Sequence, residues 1–213
     1  VNGFVGKEDL CARSGAKAGD ILVVSGDLGG AYMGLQVLER EKEVFQSNSN
    51  IQPDLTGHDY ILERQLKPEA RKDVIDMFKK LELKPSAMID VSDGLASEAL
   101  HIARSSGVGV VIHEDKIPID PAVYNTARDF NLDPTVVAMN GGEDYELLFT
   151  INQSDYDKIK GSPHFTPVGY ILPDEGLYRF VDRQNHEHEL KAQGWDAFLS
   201  QTKDVGKKSD DAS

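Results

Sequence analysis

Ala87-Met88-Ile89-Asp90-Val91-Ser92-Asp93-Gly94-Leu95 is the stretch on which the fold turns. Its first five residues are apolar apart from Asp90 and read as a buried strand. Ser92-Asp93-Gly94 is a turn, and Leu95 to Ser105 has the spacing of a helix. The same change of period recurs on either side. Upstream, Ile21 to Ser25 is a β-rich run that ends at Gly26-Asp27, and a helix opens at Asp27-Leu28-Gly29-Gly30 with Met33, Leu35, Val37 and Leu38 as its apolar positions. Glu39 to Thr56 is polar and Asn/Ser-rich, with Ser47-Asn48-Ser49-Asn50 as a mobile loop, while His58 to Leu66 reads as a helix and Pro68 as the start of another. Downstream come a strand over Val108 to His113, helices over Pro121 to Phe130 and Pro134 to Met139, and a strand over Tyr145 to Ile151. A short helix over Asp155 to Lys160 follows, then a strand over Thr166 to Leu172 and a hairpin from Leu177 to Leu190. Strands and helices alternate without the regular spacing of a doubly wound parallel sheet. The expectation is an α+β fold, a mixed sheet with helices packed on one face.

Composition excludes some functions. The chain has 213 residues, 39% hydrophobic and 28% charged, as expected of a domain with a packed core. No apolar run approaches the ~20 residues that span a bilayer. Thirty-six acidic residues against 23 basic ones give a net charge of −13, a field that repels nucleic acid and anionic membranes. It does not exclude a phosphorylated ligand, because carboxylates bind phosphates through divalent cations. Cys11 is the single cysteine, so no intrachain disulfide forms and a cytoplasmic setting is expected. Val1 to Asp20 reads as a strand entered halfway and then a turn-rich stretch, so the natural protein is expected to begin upstream. The expected division is residues 1–12 as the end of a preceding domain and its connection, 13–200 as a C-terminal α+β domain, and 201–213 as a disordered tail.

Three segments carry chemistry. In the opening stretch, strand alternation puts Asp90 and Ser92 on one side, and Asp93 at the turn can cap a helix or hold a cation. Helix capping by Ser92 or Asp93 is the competing reading, but it leaves a carboxylate at the end of an apolar strand, where burial is costly unless the group is paired or bound to metal. Asn140-Gly141-Gly142-Glu143-Asp144-Tyr145-Glu146 places three acids behind two glycines, either as ligands for a cation or an amine, or as a polar turn before a strand. Arg13, within Ala12-Arg13-Ser14-Gly15-Ala16-Lys17, offers a planar fork suited to phosphate, or is a solvated surface group. No side chain among the six scattered histidines or elsewhere stands out as a catalytic acid, base or nucleophile.

In this order the segments resemble thiamine-monophosphate kinases, within the superfamily of aminoimidazole-ribonucleotide synthetase-like enzymes. The resemblance also draws on Ser106-Gly107-Val108-Gly109 and Gly194-Trp195-Asp196-x-Phe198 and runs from Val1 to about Phe198. It implies ATP-dependent phosphorylation of thiamine phosphate to thiamine diphosphate with Mg²⁺. By the same resemblance Asp90 and Asp93 would bind magnesium, Arg13 and Ser92 would contact ATP, and Glu143 would contact thiamine phosphate. Trp195 or Phe198 would lie against the substrate's rings. The family pairs an N-terminal α/β domain, through which it forms a homodimer, with an α+β second domain. This chain matches the second, and without the first it is expected to be inactive. Another ATP-using enzyme of the superfamily, or a non-catalytic binding domain on the same scaffold, are the rival expectations.

Overall fold

The computed structural model describes residues 4–7 and 10–193. Within them a seven-stranded sheet runs β2-β4-β1-β5-β3-β6-β7. The strands are β1 (Ile21–Ser25), β2 (Ala87–Asp90), β3 (Gly109–His113), β4 (Leu147–Ile151), β5 (Phe165–Leu172), β6 (Tyr178–Val181) and β7 (Glu187–Glu189). All neighbours are antiparallel except β3 and β6, so the sheet is mixed. The helices are α1 (Gly30–Ser47), α2 (Asp59–Leu66), α3 (Lys72–Lys80), α4 (Leu95–Ser106), α5 (Pro121–Asp129), α6 (Pro134–Asn140) and the single turn α7 (Tyr156–Ile159). None is long and apolar enough to cross a membrane.

Alternation along the strands sorts the core into layers. Leu22 and Val24 of β1, Leu148 of β4, and Val110 and Ile112 of β3 face α4. That helix meets them with Leu95, Ala99, Ile102 and Ala103, the spacing of a helical stripe. Beside it, α1, α2, α5 and α6 bury Met33, Val37, Ile61, Val123 and Val137 among themselves. The opposite face presents Val23, Phe149, Ile151 and Phe165, covered by Val74 and Phe78 of α3 and Ile159 of α7. The main helical layer therefore lies on one face, as expected, and two short helices cover part of the other.

Some expectations at element level change. Helix α1 runs on through Glu39 to Ser47, because Glu-Arg-Glu-Lys-Glu is a run of good helix formers whose polarity mimics a loop. Glu41 is tied down by the Asp54 N–H at 2.9 Å and Arg40 Nε at 2.8 Å. Pro68 does not start a helix: α2 ends at Leu66 and α3 begins at Lys72. The described residues before Asp20 form no strand. Helices α5 and α6 do begin at their prolines, each capped by the preceding aspartate: Asp120 accepts from the Ala122 N–H and Asp133 from the Thr135 N–H, both at 2.7 Å. The expected disordered tail, residues 201–213, lies outside the described residues.

Candidate active site

Strand β2 delivers Asp90 to an edge position beside β4, where Asp90 pairs with Leu147. The chain then turns through Ser92-Asp93-Gly94 into α4. Neither Ser92 nor Asp93 caps that helix, whose N-cap is Gly94 with no side-chain hydrogen bond. The contact runs the other way. Glu98, in the first turns of α4 and only 1% exposed, reaches back. Its Oε1 accepts from the Asp93 N–H at 2.8 Å, and from the Ser92 N–H and hydroxyl at 3.3 Å. The backbone of the turn is thereby held from beneath, leaving Asp93 exposed and Ser92 half-buried.

Asp90 is exposed as well, which corrects the expectation of a costly buried carboxylate. Alternation sends Ala87, Ile89 and Val91 toward the α4 side and Met88 toward the other, so Asp90 points away from the main core at the strand's end. Its position alone therefore does not demand a metal.

The second loop lies directly against the first. The Glu143 N–H donates to the Ser92 carbonyl at 2.8 Å, the Tyr145 N–H to the Val91 carbonyl at 2.9 Å, and the Val91 N–H to the Glu146 carbonyl at 2.7 Å. Two glycines make this approach possible. A Cβ on Gly94, at φ 105°, would stand 2.6 Å from the Met139 carbonyl oxygen. A Cβ on Gly142, at φ 70°, would collide with the Ser92 carbonyl. Glu143 and Tyr145 also take left-handed backbone, φ 61° and 51°, uncommon without glycine. Both side chains leave the core, and the Tyr145 hydroxyl donates to Glu143 Oε2 at 2.9 Å. That hydrogen bond, with the charges of Glu143, Asp90 and Asp93, pushes the phenol's pKa up and keeps it a donor at neutral pH.

Between them Asp144 points inward. It is 4% exposed and accepts from the Gly29 N–H at 2.7 Å and the Ala31 N–H at 3.1 Å, so it caps α1 from a loop more than a hundred residues away. Burial pushes its pKa up to about 6, against the pull of those two amides and of Arg64. Glu146 is buried too. It accepts from the Ser25 hydroxyl at 2.5 Å, pairs with Arg64 at 3.0 Å and with Arg71, and burial again raises its pKa. Arg64 of α2 also donates to the Asp144 carbonyl at 3.0 Å. Above this network opens a cleft of about 290 Å³, where Arg64, Lys67 and Arg71 are balanced by Glu63, Glu69 and Asp73.

The structure thus brings together Asp90, Ser92, Asp93 and Glu143. Arg13 stands apart: it is exposed, forms no hydrogen bond or ion pair with the described residues, and follows Ala12, whose carbonyl accepts the Met88 N–H at 2.9 Å along the outer edge of β2. Trp195 and Phe198 lie outside the described residues. Sequence reading missed Glu98 as the support of the first loop, and missed Asp144, Glu146, Arg64 and Arg71 as one network. The arginines sit on unremarkable helical stretches, and only the run of acids at Glu143 to Glu146 hinted that some would turn inward.

Residues 17–156 match the family described as AIR synthase related protein, C-terminal domain. The chain belongs to this family. Within it, the chain is similar to the thiamine-monophosphate kinase of Aquifex aeolicus, 33% identical over 193 residues covering 90% of this chain and 56% of the relative. The counterpart from Pyrococcus horikoshii is 35% identical, with 88% and 53% covered. The chain spans about half the length of these curated relatives. Among solved structures, AaThiL complexed with AMPPCP and TMP superposes with a TM-score of 0.69 at 28% identity, over 87% of this chain and 53% of that one. The hydrogenase maturation protein HypE of E. coli superposes at 0.59 with 18% identity, over 87% of this chain and 53% of that one, a likeness of fold alone.

Proposed function

We propose that this chain forms the C-terminal part of a thiamine-monophosphate kinase, which transfers a phosphoryl group from ATP to thiamine phosphate with magnesium. The observation that carries the reading is the mutual hydrogen bonding of the Asp90–Gly94 and Gly141–Glu146 segments, which sets Asp90, Asp93 and Glu143, all exposed, on adjoining backbones. The likeness to kinases of this activity supports it. The boundary would fall near residue 13, with the dimer formed through the family's other domain and the protein in the cytoplasm.

The donors fit a hard divalent cation. Asp90 and Asp93 offer solvent-facing carboxylate oxygens, and Asp93, Glu98 and His101 each bring one ligand atom within 4.8 Å of the others. Bound there, magnesium would screen the phosphate charges and favour in-line geometry. Asp90 and Asp93 would hold it, and Glu98 keeps the Asp93 backbone still. Ser92 and Arg13 would contact ATP, Glu143 would contact thiamine phosphate, and Trp195 or Phe198 would lie against its rings. The acceptor oxygen belongs to a phosphate already anionic near neutral pH, so the chain has no proton to remove and needs no general base. With no side chain standing out as a nucleophile, transfer would be direct, without a phosphorylated side chain.

Formation of thiamine diphosphate by the full-length protein from ATP, Mg²⁺ and thiamine phosphate tests the reading. Asp90→Asn should lower turnover by roughly a hundredfold or more, the scale of losing one electrostatic contact to the transferring group, with an unchanged circular dichroism spectrum. Near-normal turnover at saturating Mg²⁺ would remove Asp90 from the metal site.

A further inference from the structure

We propose that Tyr145 is a positioning residue for Glu143, fixing through its hydroxyl the attitude in which that carboxylate meets the substrate. The inference rests on the reading of Glu143 as the thiamine phosphate contact and adds the group that sets its orientation.

Three of the four residues from Gly142 to Tyr145 have left-handed backbone, and only the first is glycine. Such strain persists where the surroundings over-determine it. Here the surroundings are the first loop, whose Ser92 and Val91 carbonyls take the Glu143 and Tyr145 amides. Asp144, between them, is fastened to the start of α1. With the middle residue pinned inward, its two neighbours are turned to the same side, and their side chains join at 2.9 Å.

A glutamate on an exposed loop otherwise samples many rotamers, and each contact it makes must offset that lost freedom. Tyr145 has only two side-chain torsions and a backbone held to the first loop through the Val91 carbonyl, so its hydroxyl orders Glu143 before any ligand arrives. The phenol has one hydrogen to give, and among the acids acting on it, Glu143, Asp90 and Asp93, it gives that hydrogen to Glu143. Asp90 and Asp93 therefore keep their oxygens for a cation.

Tyr145→Phe removes the donor and keeps the ring. In calorimetric titrations of the full-length protein with Mg²⁺ present, it should weaken thiamine phosphate binding by roughly three- to tenfold, the span of one ordinary net hydrogen bond. ATP binding should shift by less than about twofold, since ATP makes no use of that bond. Glu143→Gln serves as the comparison. If Glu143→Gln weakens thiamine phosphate binding and Tyr145→Phe does not, the positioning role is wrong and the substrate assignment stands. If Glu143→Gln has no effect either, the substrate assignment itself is wrong. Equal weakening toward both ligands, with a lowered melting temperature, would reduce Tyr145 to a structural residue and overturn the proposal.

Discussion

A single buried carboxylate decides the shape of the first loop. Glu98 gathers two amides and a hydroxyl from the two residues that precede Gly94, where the sequence left open that Ser92 or Asp93 caps the helix instead. Both readings need the same residue types at nearly the same spacing, which is why the direction of the bond was not legible. What was legible is the pair of aspartates with a glycine behind them, since few other patterns bring an apolar strand so abruptly to acids. Glu98→Ala should lower unfolding free energy by about 2 kcal/mol, the scale of hydrogen bonds made to a charged acceptor. Urea denaturation measures it, and a loss under roughly 0.5 kcal/mol, the level of an ordinary surface change, would show that the turn holds itself.

At the level of elements, Asp144 joins the second loop to α1, and Glu146 joins β4 to α2 and the start of α3 through Arg64 and Arg71. Strand and helix positions were mostly readable from period and from the Asp-Pro starts of α5 and α6. These cross-links were not, because each joins residues whose sequence separation carries no pattern. The Asp144 link has a pH signature. Its folded pKa, about 6, stands above the ordinary 3.8, so the native state binds this proton more tightly than the unfolded chain does. The stabilisation is complete below the ordinary value and fades as pH rises through about 6. Stability should therefore decline as pH rises from the ordinary 3.8 to about 6 and level off above that. Asp144→Asn should shallow the decline, leaving the part due to Glu146 and Asp27, whose pKa values burial also raises. Denaturant curves at three pH values read the slope. An unaltered slope in the variant would remove Asp144 from the account.

Across the whole molecule, the α+β class and the mixed sheet followed from irregular alternation of short strands and helices. The second, smaller core under α3 and α7 did not, because Val74, Phe78 and Ile159 look like any other apolar positions on short helices. The net charge of −13 meets its local counterpart here: the acids of the two loops lie side by side, and under the proposed function an anionic substrate approaching them would need cations first.

The shared hydrogen bonds between the loops make them one mechanical piece. A cation settling on Asp90 and Asp93 cannot firm up the first turn without also firming the backbone that carries Glu143. Occupancy at either end should consequently tighten the other by an equal factor, as thermodynamic reciprocity requires. Titrating thiamine phosphate at low and at saturating Mg²⁺, and Mg²⁺ with and without thiamine phosphate, should return the same ratio twice. Independent affinities would mean that the two turns touch without communicating.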